Sequence, residues 1–137
     1  MKKLVIDASV AISLCLKDEG STLTEDLLTE LDNYQLLVPP HWSVEVANAL
    51  FMAFRRKRLE FTEISVAFNL LMDLEPKIIS LPYTAISANM FTLAEKHGLT
   101  IYDTYYLQVA INNSAILATL DKELHKAALN ENIKIFE

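Results

Sequence analysis

The sequence predicts an α/β fold with a mainly parallel five-stranded sheet flanked by helices, and three observations carry that expectation. Short β-rich aliphatic runs alternate with longer segments of helical period, the pattern of successive strand and helix units. Three of the runs are near-continuous aliphatic stretches, as strands covered on both faces require. No repeat, low-complexity tract or polar linker interrupts the alternation, so one domain over residues 1–137 is expected, long enough to bury a core.

Strands are expected at residues 4–6, 35–38, 77–80, 115–119 and 133–136. Between the first two, Thr22, Leu23, Thr24 and Glu25 have capping-box spacing, and Leu23, Leu27, Leu28 and Leu31 line one face of a helix reaching about residue 33. Pro39 and Pro40 open the next helix, from about residue 42 to 58. Thr62 caps another, whose Ile64, Phe68 and Leu71 recur at i, i+4 and i+7 until Pro76 forbids continuation. These two form a helical hairpin over about residues 42–74. A helix from about residue 84 carries Ile86, Met90 and Leu93 as its apolar stripe and ends at Gly98, which is expected to turn left-handed. Helices at 103–112 and 122–129 complete the set.

Composition narrows the function. Hydrophobic residues make up 52% against 22% charged, with two Gly and four Pro, which excludes a disordered or collagen-like chain. Twelve Lys and Arg against 18 Asp and Glu give a net charge of −6, so any nucleic-acid contact needs a local basic patch or bound cations. Cys15 is the single cysteine, which excludes an internal disulfide and a multi-thiolate metal site and reads as a small core residue in a reducing compartment. Lys2, Lys3 and the apolar run after them resemble an export signal, but Asp7 interrupts it. A carboxylate costs about 2.5–3.5 kcal/mol at the centre of a membrane helix, and the uncharged run 8–16 falls far short of the ~20 residues that span a bilayer. A cytoplasmic protein without membrane association is the expectation.

Of seven aspartates, Asp7, Asp103 and Asp121 each stand at or just beyond an apolar segment and immediately before an expected helix. Ligands of open parallel sheets bind outside the carboxyl ends of the strands, so Asp7 and Asp121 project toward one rim. Each aspartate alone reads equally as a helix cap. Glu45 lies in a helix among Trp42, Val46, Ala49 and Leu50, either exposed or facing the same rim. A converged acidic group needs a cation, and oxygen ligation without clustered His or Cys favours Mg2+ or Mn2+. His41, His97 and His125 show no ligand spacing and read as surface or packing residues.

Four segments then carry a resemblance: residues 4–10 (LVIDASV), Pro40 with 45–50 (EVANAL), 102–110 (YDTYYLQVA) and 118–124 (ATLDKEL). In this order, spanning essentially the whole chain, they resemble the successive motifs of PIN domains, in particular the VapC-type toxins. The resemblance implies Asp7, Glu45, Asp103 and Asp121 as the acidic metal-binding set, Thr119 as the family's hydroxyl position with a part in catalysis, and Ser9 as the small polar residue after the first aspartate, a candidate substrate contact. Thr104 stands where many relatives carry Ala, which leaves the acidic set intact. The resemblance implies a PIN-like fold, metal-dependent endonucleolytic cleavage of RNA, a cognate antitoxin protein and a homodimer. A catalytically inactive PIN-like module that binds RNA or protein is the alternative. A phosphoacceptor domain would need an aspartate after the third strand, where the chain reads Ile78-Ile79-Ser80-Leu81-Pro82.

All three arginines, Arg55, Arg56 and Arg58, cluster at the end of the helix that carries Glu45. They either grip RNA backbone about 15 Å from Glu45 or offset the helix dipole. Tyr102, Tyr105 and Tyr106 either stack bases or pack.

Overall fold

The computed structural model describes residues 1–16 and 22–137. Its elements are β1 (Lys2–Ile6), α1 (Ala8–Cys15), α2 (Thr22–Glu30), β2 (Tyr34–Val38), α3 (Trp42–Arg55), α4 (Phe61–Met72), β3 (Lys77–Ile78), α5 (Tyr83–Ala85), α6 (Phe91–His97), α7 (Ile101–Asn113), β4 (Ile116–Ala118) and α8 (Lys122–Asn130). The sheet is parallel throughout in the order β3-β2-β1-β4. β1 and β2 are buried over their last three residues, so the aliphatic ends of both strands sit beneath the rim where β1 gives way to Asp7.

Among the described residues four strands form where five were expected. The segment at 133–136 makes a single parallel bridge, Leu117 with Ile135. Asn132 takes a left-handed φ of 60° and Ile133 donates back to Ala128 O at 2.9 Å, so the chain leaves α8 by a tight turn. Only Lys134 O and the Phe136 amide then reach Leu117, each at 2.9 Å.

The expected hairpin is α3 against α4, with two boundary differences. α3 stops at Arg55 because Lys57 turns left-handed at φ 62°, and Arg58 N closes on Ala53 O at 2.9 Å. α4 is capped at Glu60 rather than Thr62: the Glu60 amide donates to Glu63 Oε1 at 2.9 Å, the half of a capping box that the third helical residue supplies whatever side chain stands at the cap. α2 begins at Thr22, already helical, and the position before it lies outside the described residues. Gly98 is left-handed at φ 64°, as expected. The helix before it contains a π turn over Ile86–Met90, which the apolar stripe did not reveal.

α7 lies across the sheet and buries Thr104 and every residue from Tyr106 to Ala110. Below it, Lys96 Nζ and His97 Nε2 both meet Glu131 Oε2 at 2.7 Å, tying α6 to the end of α8 and holding the Glu131 carboxyl below its ordinary range. No helix among the described residues is long and apolar enough to cross a membrane. Cys15 is half-buried and lines a groove of about 660 Å3 with Leu28, Leu31, Val66 and Leu70, three of which belong to α2 or α4.

Candidate active site

The parallel register of β1 and β4 builds the site. Ile6 pairs with Ala118, so the next residues, Asp7 and Thr119, leave the sheet side by side, with the Asp7 amide on Ala118 O at 3.3 Å. Asp7 caps α1: its Oδ1 accepts from the Val10 amide at 3.0 Å and from Ser9 Oγ at 2.6 Å. Its Oδ2 accepts from Thr119 Oγ1. Thr119 Oγ1 in turn accepts from the Asp121 amide at 3.0 Å, and Ser9 Oγ accepts from the Leu120 amide at 3.0 Å. Two hydroxyls therefore bind the Asp7 carboxylate to the turn that presents Asp121. Asp121 caps α8 through Oδ1, which accepts from Glu123 and Leu124 amides at 2.9 and 3.0 Å.

Asp103 differs from the other two. Thr100 caps α7, accepting from the Asp103 amide at 3.1 Å, so the Asp103 side chain sits in the first helical turn and is not spent on a cap. Glu45 occupies the first turn of α3, half-buried, where Tyr106 donates its hydroxyl to Oε1 at 2.5 Å and His41 Nε2 stands 3.4 Å away.

The PIN domain profile matches residues 4–130. The chain belongs to the PIN domain family. It is 32% identical over 122 residues to Ribonuclease VapC3 of Pyrobaculum aerophilum, a match that covers 89% of this chain and 92% of the relative. Solved structures share the fold. PAE2754 from Pyrobaculum aerophilum aligns at a TM-score of 0.73 and 21% identity, over 98% of this chain and 83% of its own. FitAcB from Neisseria gonorrhoeae aligns at a TM-score of 0.62 and 21% identity, over 98% and 96%.

In this PIN domain the acidic side chains share one electrostatic field. Burial pushes the Asp7 carboxyl above its ordinary range against the pull of the Ser9, Thr119 and Val10 donors, and the Asp103 charge pushes it further. Asp103 is also raised, by burial first and then by Asp121 and Glu45, with Thr100 and His41 pulling down. Tyr106 is pushed far above the phenol range by burial and by its bond to Glu45, so it stays a protonated donor. Among the described residues no group of three or more His, Cys, Asp and Glu side chains is close enough to hold a metal ion by itself. The donor set, all oxygen and mutually repelling, fits a hard divalent cation that keeps several of its waters.

The arginines lie elsewhere in the PIN domain. Arg55 sits over the Phe51 ring at 4.9 Å, and Arg58 lines a groove of about 420 Å3 at the hairpin tip that none of the four carboxylates joins. Arg56 is the exposed C-terminal cap of α3. A cation beside the acidic rim is Lys122, which with Thr119, Leu120, Asp121 and His125 lines a groove of about 350 Å3. A single lysine after a capping aspartate carries no pattern that would mark Lys122 in the sequence. His41 had a readable signal, four residues before Glu45 and so one helical turn from a candidate carboxylate, whereas Tyr106 meets Glu45 from 61 residues away and had none.

Proposed function

We propose that this PIN domain is a metal-dependent endoribonuclease and the toxin of a toxin–antitoxin pair, using Mg2+ or Mn2+ held by Asp7, Glu45, Asp103 and Asp121. The observation that carries the reading is the Asp7 carboxylate, buried at the rim and held by three donors while Asp103 repels it. A fold that keeps a charge there against desolvation has a use for a cation. When bound, such a cation neutralises phosphodiester charge and lowers the pKa of a coordinated water. The chain's own residues do the positioning. Ser9 and Thr119 fix the Asp7 carboxylate and couple it to Asp121, Tyr106 fixes the rotamer of Glu45, and Lys122 offers a cation to RNA backbone next to Asp121. Support for RNA as substrate comes from the similarity to a protein named as a ribonuclease.

An antitoxin protein is the partner we assign to the groove between α2 and α4, whose exposed Leu28, Val66 and Leu70 call for an apolar cover. The chain acts as a homodimer in the cytoplasm on this reading. The decisive experiment incubates the chain, and an Asp7→Asn, Asp103→Asn double variant, with a pool of structured RNAs in Mg2+, Mn2+ or chelator and maps new ends. Cleavage by wild type with metal only is expected; confirmed metal binding without cleavage of any RNA would favour the inactive binding module.

Two further outcomes follow. Tyr106→Phe removes the donor to Glu45 without changing the shape of the core, and cleavage should fall about 10-fold or more with the melting temperature nearly unchanged. Full activity in Tyr106→Phe would show that Glu45 needs no anchor. If Arg55, Arg56 and Arg58 grip substrate, replacing all three by Glu should weaken RNA binding and flatten its dependence on salt concentration. An unchanged salt slope assigns the cluster to the α3 dipole instead.

A further inference from the structure

We propose that the exposed ring of Tyr102, held in place by His41, is the stacking surface for a nucleobase adjoining the phosphodiester at the acidic rim. The substrate class rests on the nuclease reading above; the surface itself rests on geometry. Three tyrosines sit at i, i+3 and i+4 on α7, and the structure gives them different tasks. Tyr106 is buried and donates to Glu45. Tyr105 is half-buried, and its hydroxyl accepts from the Leu81 amide at 2.7 Å, pinning the segment after β3. Tyr102 alone presents its ring to solvent, 63% exposed, one residue before Asp103.

An exposed tyrosine on a helix ordinarily samples several rotamers, and ordering it on binding costs entropy. Tyr102 is already held. The His41 ring meets it edge to face at 5.4 Å, and His41 Nε2 stands 3.1 Å from the Tyr102 carbonyl oxygen. His41 is itself wedged between Tyr105 and Tyr106, with ring centroids 5.3 Å away in both cases. Its Nε2 also faces Glu45, so shelf and carboxylates belong to one packed unit. A stacking contact suits this chain for a second reason. With a net charge of −6 the protein gains little from phosphate attraction, whereas a π-face attracts any base whatever the charge around it. His41 is a positioning residue here, since it acts through Tyr102.

The test uses single-stranded oligoribonucleotides carrying 2-aminopurine or an abasic site at successive positions, with binding titrated in chelator and cleavage followed in Mg2+ or Mn2+. Wild type should bind with quenched 2-aminopurine at one position, and Tyr102→Ala should weaken binding about 10- to 100-fold and lose the quenching. Tyr102→Phe should behave as wild type, and His41→Ala should fall between. An abasic site at the quenched position should cost wild type as much as Tyr102→Ala costs on intact RNA, and the two losses should not add. Tyr102 is exposed and Ala is a good helix former, so the variant folds. Wild-type cleavage with Tyr102→Ala binding and cutting equally well overturns the shelf and leaves the nuclease reading intact. Base-dependent binding lost in Tyr102→Ala, without cleavage in any metal, upholds the shelf and overturns the nuclease reading. Failure of wild type to bind any oligonucleotide overturns the shelf, and the nuclease reading is then decided by the pool of structured RNAs.

Discussion

Asp7→Asn is expected to reduce RNA cleavage by at least about 100- to 1000-fold and, in the same molecule, to raise the melting temperature of the metal-free protein at neutral pH. The two effects share one cause. Asp7 is buried, its carboxyl is pushed above the ordinary range by desolvation, and Asp103 adds repulsion. A group whose folded pKa exceeds its unfolded value contributes stability that is fully present below the unfolded pKa and is lost as pH rises through the folded pKa. The metal-free wild type should therefore lose stability as pH climbs from acid through the raised range of Asp7 and Asp103. Asparagine keeps the cap on α1, since its carbonyl still accepts from the Val10 amide, and removes the charge. The gain at neutral pH should be on the order of 0.5–2 kcal/mol, which is the usual scale when a functional strain is released. It should shrink toward acid, where Asp7 is protonated anyway. Divalent cation should raise the wild-type melting temperature by linkage and the variant's much less. Calorimetry of both proteins across pH, with and without Mg2+ or Mn2+, checks all of this. A variant no more stable than wild type at neutral pH would mean that the site holds no strained charge.

The rim was legible in the sequence because it is made of local signals. A run of aliphatic residues that ends in an aspartate, with a helix after it, places Asp7 and Asp121 at strand ends, and the structure finds both there as caps. Capping and site-building are not rivals here: Asp121 caps through Oδ1, and Asp7 caps while receiving Ser9 and Thr119. What the sequence did not reveal depends on contacts between elements far apart in the chain. Nothing near Tyr106 shows that its hydroxyl meets a glutamate 61 residues earlier, or that His41 stands between that glutamate and three tyrosines. The fifth strand failed for a different reason. Its alternating Ile133 and Ile135 have strand composition, but the left-handed turn at Asn132 and the bond from Ile133 to Ala128 leave only one residue free to pair. Lys and Arg favour a helix in propensity and so carry the expected α3 on to residue 58, whereas backbone conformation at Lys57 ends it at Arg55.

Thr119→Val should cost about 10- to 100-fold in cleavage, although Thr119 carries no charge and valine has nearly its shape. The hydroxyl is the joint of the site. It donates to Asp7 Oδ2 and accepts from the Asp121 amide, so one oxygen fixes the orientation of the carboxylate just after β1 relative to the turn after β4. Valine leaves Asp7 with its Ser9 and Val10 donors only, and it leaves the buried Oδ2 facing methyl groups. An unpaired buried acceptor costs about 1–3 kcal/mol, more when charged, so the variant should be less stable than wild type, by the larger margin where Asp7 is ionised. Thr119→Ser restores the oxygen and should recover most of the activity, with a small loss for the missing methyl. The pair separates geometry from packing: if Ser were as inactive as Val, the methyl and not the hydroxyl would be what the site requires. If Val were fully active, Asp7 and Asp121 would be positioned by their caps alone, and the coupling between β1 and β4 would have no part in the chemistry.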